Sequence, residues 1–139
     1  MTTIDMIRSD FELLDDWEDR YRYIIDLGKD LAPLSDAEKT SANKVQGCTS
    51  QVWLVTEREA GDDPVVRFRG DSDAHIVKGL VALVLAVYSG KKRSEIAGID
   101  AIAILKSLGL DQHLSPQRSN GLKSMISRIR TDAEHPVIG

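Results

Sequence analysis

Gln51-Val52-Trp53-Leu54-Val55-Thr56 and Val65-Val66-Arg67-Phe68-Arg69, separated by Gly61-Asp62-Asp63-Pro64, decide the class of this chain. Both apolar runs are rich in β-branched and aromatic residues, which suit a pleated, half-buried surface. The segment between them carries the Gly, Asp and Pro that tight turns demand, so an antiparallel hairpin is the simplest connection. A short strand around Lys44 to Gln46 is expected to add a third member. Downstream, Ile76, Val77, Leu80, Val81, Leu83, Val84, Leu85 and Val87 cover nearly the whole circumference of a helix from Ala74 to Tyr88. A helix apolar all round is a buried one, so this segment is the expected centre of the core. Asp71, Ser72 and Asp73 offer N-cap oxygens before it. Gly90 closes it, and Lys91, Lys92 and Arg93 complement the negative end of its dipole.

Helical spacing recurs on both sides. Ile4, Ile7, Phe11 and Leu14 mark a first amphipathic helix, and Trp17, Tyr21, Ile24, Ile25 and Leu27 a second, capped by Asp15 or Asp16. The second fades between Gly28 and Leu31, ahead of Pro33. Ser35 to Glu38 has capping-box spacing before a polar run and reads as a single turn within a connector. Ile99 to Leu108 predicts a shorter helix ending at Gly109, and Ser115-Pro116 opens a last helix with the stripe Leu122, Met125, Ile126, Ile129. Helices, a small antiparallel sheet of about three strands, then more helices make an α+β layout.

The chain has 139 residues, enough for a single domain spanning 1–139 with a real core. It is 42% hydrophobic and 29% charged, as an ordinary globular protein is. A net charge of −4 favours neither nucleic acid nor anionic lipid as a partner. The longest apolar run, Leu80 to Tyr88, is too short to span a bilayer. Met1 to Asp5 lacks the basic region and apolar stretch of a secretory signal, and a single cysteine suits a reducing compartment. The expected location is the cytoplasm.

Chemistry centres on Cys48, the sole cysteine, in the run Val45-Gln46-Gly47-Cys48-Thr49-Ser50-Gln51. It cannot form an internal disulfide, and one thiolate with His75, His113 and His135 scattered lacks the spacing of a metal site, so no metal is expected. Gly47 opens dihedrals closed to other residues, and the N–H groups of such a turn can stabilise a thiolate. The competing readings are a cysteine packed as a small hydrophobe in an interaction module, and a hydrolase nucleophile served by His75 or His113. Asp71, Ser72 and Asp73 are explained by capping, with binding as the alternative. Arg118, in the first turn of the last helix, opposes the dipole there, which points to an ion pair or a partner contact. Trp53 is assigned to the core or sheet face, and Lys123, Arg128 and Arg130 to a solvated helix face.

The stretch Val45 to Leu54 resembles the active-site segment of the SufE family, sulfur acceptors that work with cysteine desulfurases in iron–sulfur cluster assembly. Further blocks agree in order: Trp17-Glu18-Asp19-Arg20-Tyr21 with Ile24 to Gly28, then Asp71 to Ala74 with Ile76 to Leu80, then Leu114-Ser115-Pro116 with Arg118 to Leu122. The resemblance implies the compact α+β fold shared with IscU-type scaffolds. It also implies that Cys48 takes sulfur from a persulfide on a SufS/CsdA-type desulfurase, stimulates that enzyme and passes sulfur to a downstream scaffold complex. Such a chain is a carrier rather than a stand-alone enzyme, and a monomer or weak homodimer is expected. Gly47, Ser50 and Gln51 would form the supporting loop, with Asp71, Asp73 and Arg118 as partner contacts. A second thiol could displace the carried sulfur as sulfide, so a solitary cysteine suits the task.

Overall fold

The computed structural model describes residues 3–48 and 50–134. Thr3 caps α1 (Ile4–Leu13) through its hydroxyl, and Asp16 caps α2 (Trp17–Lys29) through its carboxylate. A 3₁₀ turn at Asp36–Glu38 interrupts the connector that follows, held by reciprocal Ser35 and Glu38 bonds. The hairpin is β1 (Val52–Arg58) and β2 (Val65–Ser72), antiparallel from Val52 opposite Ser72 to Arg58 opposite Val66. Then come α3 (His75–Tyr88), β3 (Lys91–Lys92), α4 (Arg93–Ala97), α5 (Ala101–Ser107), α6 (Leu110–His113) and α7 (Pro116–Glu134).

Alternation in the hairpin sorts its two faces. Val52 and Leu54 of β1 and Val66 and Phe68 of β2 enter the core, as period-2 patterning requires. Helix α3 packs between α2, β2 and α7, with Leu80, Val81, Leu83, Val84, Val87 and Tyr88 buried. Its approach to α2 is backbone on backbone: a Cβ at Gly79 would lie 2.2 Å from the Ile24 carbonyl oxygen, and one at Gly28 2.6 Å from the Gly79 nitrogen. Only glycine allows that contact. On the other face of the sheet, the connector supplies Lys39, whose ammonium lies 5.3 Å from the Trp53 ring centroid, and Glu38, which pairs with Arg69.

The α+β class and the hairpin are as expected, but the third strand is not. Lys91–Lys92 pairs with β2, in the order β1-β2-β3, and Lys44 makes only an isolated bridge to Trp53 on the opposite edge. The lysines read as dipole partners of α3 are drawn into the ladder because Gly90 turns the chain back, its N–H bonding to the Val66 carbonyl. Lys91 still reaches the Val87 carbonyl at 2.6 Å. Two short helices were unexpected. Helix α4 starts where Glu95 accepts from the Lys92 N–H and the hairpin's Asp63 accepts from Ser94, while α6 follows Gly109 at φ +79°. The N-cap of α3 is Ala74, with no side-chain bond, because Asp71 and Ser72 belong to β2.

Candidate functional site

Cys48 sits on a turn whose two ends are fastened. On the entry side the Val45 N–H bonds to the Val52 carbonyl and the Leu54 N–H to the Asn43 carbonyl, both at 2.8 Å. On the exit side the Gln51 N–H donates to Asp73 at 3.0 Å, and the Ser72 hydroxyl donates to the Gln51 carbonyl at 2.7 Å. The turn runs between these fastenings. Gly47 adopts φ +90°, and a Cβ there would come within 2.5 Å of the Ser124 hydroxyl, so both the conformation and the close approach to α7 require glycine.

That approach lays the thiol against α7. Cys48 is half-buried, packs beside the core, and its Sγ contacts the Gly121 carbonyl oxygen at 3.7 Å. A thiol donating to a carbonyl is held in its neutral form, and burial pushes the Cys48 thiol above its ordinary value. At rest the group is therefore a sheltered thiol, not an exposed thiolate.

The other expected site residues separate by position. Ser50 is half-buried, and Gln51 is exposed beside the turn. Asp73 is exposed and fastens Gln51. Asp71, expected as a partner contact, is 4% exposed and its carboxylate is engaged within the fold. It accepts from the Ser72 N–H at 2.8 Å and the Leu34 N–H at 3.2 Å, with Lys78 at 3.4 Å and Lys39 at 3.7 Å. Burial opposes its charge, yet these N–H groups and Lys78 outweigh that and hold its pKa below the ordinary value. Arg118 is exposed on the first turn of α7, and its side chain has no ion-pair partner among the described residues.

Neither His75 nor His113 is a hydrogen-bond partner of Cys48, whose sulfur contacts Gly121. His113 stacks on Trp17, ring centroids 3.9 Å apart, and its carbonyl accepts from Tyr21; His75 is exposed at the head of α3. His135 lies outside the described residues. Among the described residues, no group of His, Cys, Asp or Glu gathers as a metal ion would require.

The basic scatter of α7, read as a solvated face, is partly structural. Arg130 donates to the Ile99 and Ala97 carbonyls at 3.0 and 3.2 Å. Arg128 reaches the Ala42 and Lys44 carbonyls on the segment that enters the Cys48 turn. Sequence spacing offers no signal for such contacts, because their acceptors are backbone atoms far along the chain.

The chain is 58% identical over 135 residues to an uncharacterized SufE-like protein of Rhizobium meliloti (strain 1021), covering 96% of each. It is also 58% identical over 135 residues to an uncharacterized SufE-like protein of Rhizobium etli, covering 96% of this chain and 91% of that one. The solution structure of a hypothetical protein from Thermus thermophilus superposes with a TM-score of 0.71, over 94% of this chain and 92% of that one. At 16% identity, that likeness establishes the fold alone. The SufE family model, described as an Fe-S metabolism associated domain, matches residues 5–133, and the chain belongs to this family.

Proposed function

We propose that this protein accepts persulfide sulfur from a cysteine desulfurase on Cys48, stimulates that desulfurase, and hands the sulfur to an iron–sulfur scaffold complex. The observation that carries the reading is a single thiol on a turn fastened at both ends and sheltered against α7. The chemistry needs little else. The Cys48 thiolate attacks the outer sulfur of the desulfurase persulfide; a new S–S bond forms at Cys48, the old one breaks, and the desulfurase cysteine leaves as thiolate. The electron pair of the broken bond departs with that leaving thiolate, so no outside oxidant or reductant is consumed.

No acid–base dyad or bound cofactor is required of the acceptor. What it must do is keep the thiol, and then the labile persulfide, away from small molecules until a partner arrives. The contact with Gly121 and the neutral resting thiol suit that task. In the partner's active site the turn extends between its fastenings, the thiol leaves its low-dielectric seat, and its pKa falls toward the ordinary range. Asp73 and Arg118, both exposed, are the surface contacts we assign to the desulfurase. Asp71 acts at one remove, by holding the end of β2 from which Asp73 projects. The location we assign is the cytoplasm, as a monomer or weak homodimer.

The test is stimulation of a SufS/CsdA-type desulfurase, read as alanine or sulfide production from cysteine. The parent protein raises turnover and Cys48→Ser does not. Equal stimulation by Cys48→Ser would remove the carrier reading.

A further inference from the structure

One stripe of α7 lies beneath the cysteine turn and both of its stems. Gly121 meets the Cys48 sulfur, Ser124 abuts Gly47, Arg128 holds the entering segment, and Asp132 holds β1. These positions recur at helical spacing, so they share a face. Within the stripe, Arg128 is the hub. Its Nη2 donates to the Ala42 carbonyl at 2.6 Å and its Nη1 to the Lys44 carbonyl at 3.2 Å. Its Nε donates to Asp132 at 3.0 Å, and the same carboxylate accepts from the Thr56 hydroxyl at 2.9 Å.

The geometry is that of a clamp. Alternate carbonyls of the 42–45 segment point away from β1, where a further strand would pair; the planar guanidinium takes two of them at once. Through Asp132 and Thr56 the same group is tied to the strand that leaves the turn. Both stems are therefore referred to one helix, the helix that also seats the sulfur.

We infer that Arg128 is the positioning residue that keeps the Cys48 thiol in its sheltered seat, so that shelter is set by the stems rather than by the weak sulfur contact alone. The inference rests on the carrier reading for its purpose, but its geometry stands without a partner. A contact of 3.7 Å from sulfur to a carbonyl is too weak to hold a turn closed. Two charge-assisted bonds to backbone carbonyls are much stronger. Lysine at this position, a point charge on a flexible stem, cannot take both carbonyls in one plane.

The experiment measures the rate at which iodoacetamide alkylates Cys48 in the isolated protein, at one pH, for the parent, Arg128→Gln, Arg128→Lys and Ile96→Val. Ile96 is buried in α4, which supplies no group to the clamp's bonds, and its shortening lowers stability. Arg128→Gln is expected to react about tenfold faster than the parent, with Arg128→Lys between them. Ile96→Val is expected to react at the parent's rate. A rate for Arg128→Gln equal to the parent's overturns the clamp, and so does an equal acceleration in Ile96→Val, which would trace the effect to global unfolding. If Arg128→Gln does not fold, the Arg128→Lys rate decides in the same way. Loading of the parent by a desulfurase and cysteine is run alongside. A parent that gains no sulfur removes the carrier reading, and any transfer role of the clamp with it; a loaded parent beside an unaccelerated Arg128→Gln removes the clamp alone.

Discussion

Asp71 and Cys48 sit at the same end of the hairpin and are held in opposite ways. Asp71 lies opposite Trp53 in the ladder, buried, with two backbone N–H donors and two lysines around one carboxylate. Cys48 lies a few residues before β1, half-buried, with one long sulfur contact to a carbonyl. One junction is closed on every side, and the other is closed on one. The difference teaches how a small domain can move a thiol without loosening its core: the ends of the turn are made rigid so that only the turn need move. Asp71 secures the end of β2, and the adjoining Ser72 and Asp73 then fasten the turn's exit.

The contrast predicts a large stability effect at the first site. Asp71→Ala strands the Leu34 and Ser72 N–H groups and leaves Lys78 unpaired, at a cost of about 3 kcal/mol. Chemical denaturation should show it as a lower midpoint with an unchanged slope. A loss near zero would mean that the junction is solvated rather than closed. At the turn, Gly47→Ala combines a positive φ with the clash against Ser124 and should cost about 1–2 kcal/mol. Adding Ser124→Ala should recover part of that loss but not the dihedral strain. Full recovery would show that the contact alone matters.

Titration sharpens the same comparison. Burial raises the Cys48 pKa in the folded protein, so the neutral thiol is the form that folding favours. The stability this confers is complete below the unfolded thiol's pKa and is lost as pH rises through the higher folded value. Alkylation of the native protein should therefore show a midpoint at higher pH than alkylation of the same protein unfolded in urea. A native midpoint below the unfolded one would mean an activated resting thiolate. Smallest of all, Cys48→Ala should change stability by under about 1 kcal/mol, since it removes only a weak contact and a partly exposed sulfur.

Much of this was legible in the residues. The β-branched and aromatic runs Gln51 to Thr56 and Val65 to Arg69, with the turn residues Gly61 to Pro64 between them, specified the hairpin, the all-round apolar character of Ile76 to Val87 specified the central helix, and the solitary Cys48 beside Gly47 marked the turn. What escaped has physical causes. The strand Lys91–Lys92 is two residues long and polar, so no alternation announces it; its pairing follows from the bend at Gly90. The segment at Lys44 has strand-like residues but remains an isolated bridge, because the turn at Gln46 and Gly47 ends its pairing with β1. Asp71 reads like a surface cap in sequence, and only the closure of Leu34 and Lys78 around it makes it internal. Arg128 looks like one charge among several on a solvated helix until the fold brings residue 42 beneath it.

The central claim is that Cys48 itself carries the sulfur. Its most direct test is the mass of the Cys48 peptide after incubation with a cysteine desulfurase and cysteine, with digestion under non-reducing conditions. The account predicts a gain of one sulfur atom on that peptide, removed by a reducing thiol and absent without the desulfurase. An unmodified Cys48 peptide from a protein that still stimulates the desulfurase would contradict it.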